Sequence, residues 1–153
     1  MPLEKPSIQK SSESEISQQL SYLRDTFPKN IASAKSVSLD QAKIEAEREI
    51  SRLINDEYED YFFTAFTDSQ PMGYTWLRSQ HEELFITYLY VSQNFRRRGI
   101  GSYILDWIEN FAVEKGCRRV GLVVFAMNES AVSLYERNGY AIGNMKMTKQ
   151  ITS

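Results

Sequence analysis

Arg96-Arg97-Arg98-Gly99-Ile100-Gly101-Ser102 joins two segments of different periodicity. Before it runs an apolar stretch, Leu84 to Val91. After it, Ile104, Leu105, Ile108, Phe111 and Ala112 recur at i, i+1, i+4, i+7 and i+8, one face of an α-helix. The glycines therefore stand where a strand hands over to a helix start. There the first-turn N–H groups lack intrahelical partners and point along the positive end of the helix dipole. Glycine lets an anion approach that backbone without a Cβ in the way, and it adopts positive φ at no steric cost. Three arginines add charge and donors. The combination reads as a phosphate or pyrophosphate cradle. The blander alternative is a tight loop with a solvated basic run.

Two familiar phosphate motifs fit badly. A P-loop needs Lys-Ser or Lys-Thr after its second glycine, and none is present. The dinucleotide fingerprint needs a third glycine where Ile104 stands. The segment instead resembles the acyl-coenzyme-A signature of the GNAT superfamily of N-acetyltransferases, [Q/R]-x-x-G-x-[G/A], with Arg96, Gly99 and Gly101 at its fixed positions. Val91-Ser92-Gln93-Asn94-Phe95 is similar to the strand end and turn that precede it. Asn128-x-x-Ala131-x-x-Leu134-Tyr135-Glu136-Arg137-x-Gly139-Tyr140 resembles the later N-x-x-A-x-x-L-Y-x-x-x-G-[FY] motif. The likeness is specific from about Tyr88 to Ile142. It implies a GNAT-like acyl-CoA N-acyltransferase fold, with acetyl-CoA as co-substrate and no metal.

A chain of 153 residues is one domain by length, expected over 1–153. Its 42% hydrophobic and 25% charged content is ordinary for a globular protein. A net charge of −2 argues against general nucleic-acid binding and leaves the three arginines a local feature. Cys117 and His81 are the lone members of their types, which excludes an intrachain disulfide, a C-x-x-C pair and an H-x-x-x-H helix. A reducing cytoplasm is the expected location. Glu4, Glu13, Glu15 and Asp25 interrupt the start, so no signal peptide or anchor is read there, and no run approaches the ~20 apolar residues of a membrane helix.

Along the chain, residues 1–11 read either as a first strand from Leu3 to Gln9 or as a loose terminus. Ser12-x-x-Glu15 is a capping box, and Ile16, Leu20, Leu23 and Phe27 follow at helical spacing until Pro28, which should close that helix. Ser38-x-x-Gln41 opens a second helix carrying Leu39, Ala42, Ala46, Ile50 and Leu53 on one face. The polar stretch Lys29 to Val37 between them would wall the acceptor site, as the family resemblance implies. Tyr61 to Phe66 and Met72 to Leu77 read as strands around a turn at Asp68-Ser69-Gln70-Pro71, with a second turn over Arg78 to Glu83. The signature helix should run from about Gly101 to Lys115, with Gly116 just past its end. Val120 to Phe125 reads as a strand covered on both faces. A short helix over Glu129 to Arg137 and closing strands over Tyr140 to Ile151 complete the pattern. The fold class expected is α/β: a single-domain mixed, mostly antiparallel central sheet flanked by helices, with the strand–helix–strand unit parallel and its crossover right-handed.

Acetyl transfer to an amine needs a held thioester, a neutral amine, a polarised carbonyl and a protonated leaving thiolate. Backbone N–H groups of about Arg98 to Ser102, through Gly99, Ile100 and Gly101, would take the pyrophosphate, with Arg96 and Arg97 or Arg98 adding charge-assisted bonds. The resemblance implies that the strand before the signature bulges and splays from the following strand, leaving the backbone of Leu89, Tyr90 and Val91 for the pantetheine arm. An N–H of Tyr90 or Val91 would then polarise the carbonyl. By spacing alone these three residues are equally sheet core.

Tyr135 matches the family's general acid, and a phenol can protonate a departing thiolate. Without the motif it reads as a core aromatic beside Ala131 and Leu134. Asn128 matches a coenzyme-arm ligand, or else a helix N-cap. Many relatives carry a base glutamate at the equivalents of Tyr88 or Leu89, which is absent here. Glu83 is the nearest carboxylate, acting through a water chain, with Glu82 and His81 as neighbours and a solvated turn as the alternative. The expected activity is N-acetyl transfer from acetyl-CoA to a primary amine by direct attack in a ternary complex. The rival is a non-catalytic acyl-CoA-binding sensor or interaction module. Expected partners are a small-molecule or peptide amine acceptor, with no nucleic acid and no membrane, and a homodimer is the candidate assembly.

Overall fold

The computed structural model describes residues 6–151. Their elements are β1 (Ser7–Lys10), α1 (Glu13–Lys35), α2 (Leu39–Asn55), β2 (Glu59–Thr67), β3 (Gln70–Gln80), β4 (Glu83–Val91), a 3₁₀ turn (Gln93–Phe95), α3 (Ile100–Glu114), β5 (Arg119–Leu122) and α4 (Glu129–Arg137). They fall into two compact units. The first holds residues up to 19 and 58–123; the second holds 20–57 and 124 onward.

In the first unit the five strands lie in the order β1-β2-β3-β4-β5, antiparallel throughout except for the parallel pair β4·β5. The mixed, mostly antiparallel sheet is the one expected. Ser7–Lys10 resolves the ambiguous start as a strand on β2, while Leu3 to Lys5 lie outside the described residues. Asp68 and Ser69 both adopt positive φ, the two-residue hairpin geometry that matches strand twist.

The apolar face of α3 is buried at Ile100, Ile104, Leu105, Ile108 and Ala112. Trp107 and Phe111 extend that face onto β2 in edge contacts with Phe63 at 4.6 and 5.2 Å. The other face of β2 and β3 carries a polar brace. Arg78, 1% exposed, donates from Nε to Asp60 Oδ1 at 2.8 Å and from a terminal nitrogen to Oδ2 at 3.1 Å, and Trp76 Nε1 donates to the same Oδ1 at 3.1 Å. A buried guanidinium is tolerated because a bidentate carboxylate replaces its water.

α1, whose first residues belong to the first unit and the rest to the second, departs from expectation. Its capping box forms as read: Glu15 N–H donates to Ser12 Oγ and Ser12 N–H to Glu15 Oε1. The helix then continues through Pro28 to Lys35, so 29–35 is helix and not a connecting loop. An interior proline costs about 3 kcal/mol. Against that, the last turns bury Ile31 against Ala42 and Ala46 of α2, with Phe27, Ala32 and Phe125 around them. Chain reversal is completed in three residues, with Ser36 at φ 55°, Val37 N–H donating to Ala32 O, and Ser38 capping α2 through Gln41 N–H.

Two further expectations fail near the C-terminus. The strand read over Val120 to Phe125 is Arg119–Leu122 only, because its ladder with β4 stops at Ile86↔Leu122 and the next residue, Val123, is 83% exposed. The closing strands read over 140–151 do not form among the described residues. A strand is stabilised by a neighbouring ladder and a covered face, and this segment has neither.

Candidate active site

The two halves of β4 are paired differently. β3 accompanies it along its whole length, from Gln80↔Glu83 to Gly73↔Val91. The register shifts so that Trp76 faces Tyr88 while Leu77 faces Ile86, which makes Thr87 an extra residue: a β-bulge. On the other side, β5 pairs only with Glu83 to Ile86. From Thr87 to Val91 the edge of β4 that β5 has left carries no ladder among the described residues. Leu89, Tyr90 and Val91 thus lie on the stretch of β4 that β5 does not accompany. The Thr87 Oγ1 atom is buried there without a hydrogen-bond partner. Nothing in the spacing of Leu84 to Val91 announces this bulge; the family resemblance implied one in this strand, and it falls at Thr87.

The chain then turns through the 3₁₀ segment, closed by Phe95 N–H donating to Ser92 O and anchored by buried Phe95. Arg96 binds this turn back onto the strand. Its Nε donates to Val91 O at 2.9 Å and its guanidinium lies 5.6 Å from the centroid of Tyr90. One nitrogen of Arg96 is therefore committed to the protein, a restraint that the sequence reading did not include. Arg97, Arg98 and Gly99 are exposed. Arg97 holds φ 62°, a left-handed conformation for which a side chain pays about 1–3 kcal/mol, and Gly99 follows at 77°.

Gly99 is the N-cap of α3 and supplies no side-chain acceptor, so the first-turn N–H groups meet no capping oxygen from it. A Cβ added at Gly99 would find no atom within 4 Å. Open space at the start of α3 thus directly follows two exposed arginines in the chain. Ile100 anchors the turn as a buried residue, with Gly101 and Ser102 half-buried behind it.

Glu83 lies at the opposite end of β4. Its carboxylate accepts from Arg119 Nε at 3.1 Å and lies over Gly121, where an added Cβ would collide with it. Gly121 is thus the residue that admits the carboxylate. Glu82 pairs with Arg118 at 3.6 Å, and His81 occupies the turn with φ 55°.

Asn128 and Tyr135 belong to the second unit. Asn128 Oδ1 accepts from Ala131 N–H at 3.4 Å and caps α4, as the N-cap reading expected. Tyr135 stands edge-on to Tyr140 at 5.7 Å, and burial pushes its phenol up to about 12. A phenol of that kind keeps its proton throughout the neutral range and can donate it. Among the described residues no cluster of His, Cys, Asp and Glu could hold a metal ion.

Comparison with known proteins gives the family of the chain. The model of the acetyltransferase (GNAT) family matches residues 21–140, so the chain belongs to the GNAT acetyltransferases. It is 36% identical over 101 residues to the uncharacterised N-acetyltransferase YdgE of Bacillus subtilis, covering 63% of this chain and 64% of that one. It is 30% identical over 105 residues to the uncharacterised N-acetyltransferase MJ1207 of Methanocaldococcus jannaschii, covering 61% of this chain and 46% of that one. The chain thus spans less than two thirds of the length of either relative. Among solved structures, YycN of Bacillus subtilis superposes with a TM-score of 0.86 at 19% identity, covering 97% and 99% of the two chains. The PaiA N-acetyltransferase of Thermoplasma acidophilum, solved with coenzyme A, gives 0.68 at 21% identity, covering 94% of each. Likeness at these identities shows the fold.

Proposed function

We propose that this protein transfers an acetyl group from acetyl-CoA to a primary amine by direct attack in a ternary complex. The observation that carries this reading is the departure of β5 from β4 after Ile86, beside the bulge at Thr87. It leaves an extended backbone edge leading straight into the open start of α3. An arm bearing amides and ending in a pyrophosphate is complementary to both. Acetyl-CoA, when bound, supplies the activated acyl thioester.

The remaining work falls to the chain's own groups. Backbone from Leu89 to Val91 would align the arm, and an N–H of Tyr90 or Val91 would draw electron density from the thioester carbonyl. N–H groups from Arg98 to Ser102, with Arg97 or Arg98, would neutralise the pyrophosphate. As the amine nitrogen bonds to the acyl carbon and the C–S bond breaks, Tyr135 would hand its phenolic proton to sulfur, and Asn128 would steady the arm. The amine's own proton would leave to solvent or, through water, to Glu83. Glu83 stands four residues before the bulge, about 13 Å along an extended strand. Its pairing with Arg119 favours direct loss to solvent.

The acceptor is proposed as a small-molecule or peptide amine. Neighbouring folds include the aminoglycoside acetyltransferase AAC(6')-Iy, and matched sequences include a thialysine N-epsilon-acetyltransferase of Sus scrofa. The test is a panel of amines, polyamines and peptide N-termini incubated with acetyl-CoA while free thiol is followed. Thiol release that depends on one amine class supports the enzyme and identifies that class. Because Tyr88 and Leu89 leave β4 without a carboxylate at the open half, a sensor that binds acyl-CoA without turnover is the second reading. Tight binding without thiol release across the panel would establish it.

A further inference from the structure

The sheet buries several hydroxyls and satisfies them. Ser11 and Thr64 share a hydrogen bond of 2.8 Å, and the buried Thr75 hydroxyl donates to Tyr88 O at 3.0 Å. This second bond ties the carbonyl of the residue after Thr87 to β3 through a side chain, and so fixes the bulge.

Thr87 is the exception. Its Oγ1 is buried without a hydrogen-bond partner among the described residues. Neither neighbouring strand gives this residue a rung. On β3, Leu77 faces Ile86 and Trp76 faces Tyr88; on β5 the ladder ends at Ile86↔Leu122. A buried hydroxyl left unbonded lowers stability, and a valine would suit a strand equally well without that penalty. Such a group is accounted for when a ligand supplies its partner. All of these residues belong to the first unit.

The position of Thr87 limits what that partner can be. The acyl-transfer reading places the coenzyme arm along Leu89 to Val91 and the thioester carbonyl at the N–H of Tyr90 or Val91. Thr87 precedes those two residues by about 10–13 Å along an extended strand. The attacking nitrogen must come within about 3–3.5 Å of the acyl carbon. The Thr87 hydroxyl therefore reaches neither the thioester nor the reacting nitrogen. It is in reach of a second polar group on the acceptor, roughly 7–10 Å from that nitrogen.

We propose that Thr87 is a specificity-determining residue whose hydroxyl bonds this second polar group. The chain then prefers an elongated amine carrying a hydroxyl, amide or further amine over a plain alkylamine, since a threonine hydroxyl can both donate and accept. The proposal rests on the acyl-transfer reading of the same gap and gives its acceptor a second point of attachment.

The probes are hexylamine and its ω-hydroxy analogue, which spans the required distance when extended. With acetyl-CoA and detection of free thiol, the amino alcohol should show a kcat/KM about tenfold higher, the effect of one hydrogen bond to a ligand, expressed in its KM. In Thr87→Val the two probes should become equal and the KM for acetyl-CoA should not move. The Tm of that variant should hold or rise, because an unbonded hydroxyl has been removed. Thr87→Ser should restore the preference. Equal rates for the two probes in the wild-type chain overturn the proposal, as does thiol release from neither while another amine of the wider panel is active. A preference that survives Thr87→Val also overturns it, and so does a lower Tm, which would show the hydroxyl to be bonded within the fold. Each of these results leaves the acyl-transfer reading standing. A wild-type chain that releases no thiol with any amine overturns both.

Discussion

Along β4 the first four residues and the last five have different neighbours. Glu83 to Ile86 lie between two strands, tied sideways by the pair Glu83–Arg119 and flanked by Arg78 opposite Phe85. Thr87 to Val91 have a strand on one side only, a bulge at their start and a left-handed turn beyond their end. The first half closes the sheet; the second presents backbone. Ligand chemistry is accordingly assigned to the half where pairing stops.

The sharpest way to break that contrast is Gly99→Glu. It puts a carboxylate in the open space before α3 and a side chain on a backbone at φ 77°. Acetyl-CoA binding should disappear in calorimetry while the circular dichroism of the sheet persists. Retained binding would remove the anion site from this turn.

Next in size is Tyr135→Phe, which deletes one hydroxyl and keeps the ring beside Tyr140. Turnover should fall ~10²-fold with little change in the Michaelis constant for acetyl-CoA, as expected when a general acid is lost. Because burial raises this phenol to about 12, it stays protonated well beyond neutrality, and no alkaline loss of rate below about pH 11 should trace to it. The same shift favours the folded state in the protonated form. Its stabilising effect is complete below about pH 10, the ordinary phenol value, and is lost as pH rises through 12. The Phe variant should lack that part of alkaline destabilisation in melts run from pH 9 to 12.

A smaller effect belongs to Arg96→Ala. Removing the bond to Val91 O loosens the turn against the strand, and affinity for acetyl-CoA should drop by about 1–3 kcal/mol. Calorimetry beside an Arg98→Ala variant would separate this restraint from plain charge loss.

The mildest change is expected from Glu83→Gln, in the paired half. The rate at neutral pH should change only a few-fold, with a small drop in melting temperature from loss of the Arg119 pair. A large fall at pH 7 that recovers as pH rises would instead assign Glu83 the amine's proton and blur the division between the halves.

Much of this was legible in advance. The strand, turn and helix around Arg96 to Ser102, the capping box at Ser12, the cap at Ser38 and the cap at Asn128 follow from short-range spacing, which local physics enforces. What escaped was set by partners distant in sequence. The resemblance implied a bulge before the signature, but its position at Thr87 depends on how β3 and β5 pair with β4. The passage of α1 through Pro28 depends on α2 burying Ile31. The brace of Asp60 and Arg78 joins residues 18 apart that no local pattern relates. The segment 140–151 was expected to supply closing strands, but no strand pairs with it among the described residues.

A binding edge made of main chain also has an evolutionary consequence. Because the contacts assigned to Leu89, Tyr90 and Val91 are made by their peptide groups, the identities of these residues can drift among strand-forming types with the coenzyme's place intact. The length of β4 has no such freedom. Inserting or deleting one residue would move the bulge at Thr87 and turn every later amide to the opposite side. Variation in this stretch is therefore expected as exchange of letters, never as a change in their number.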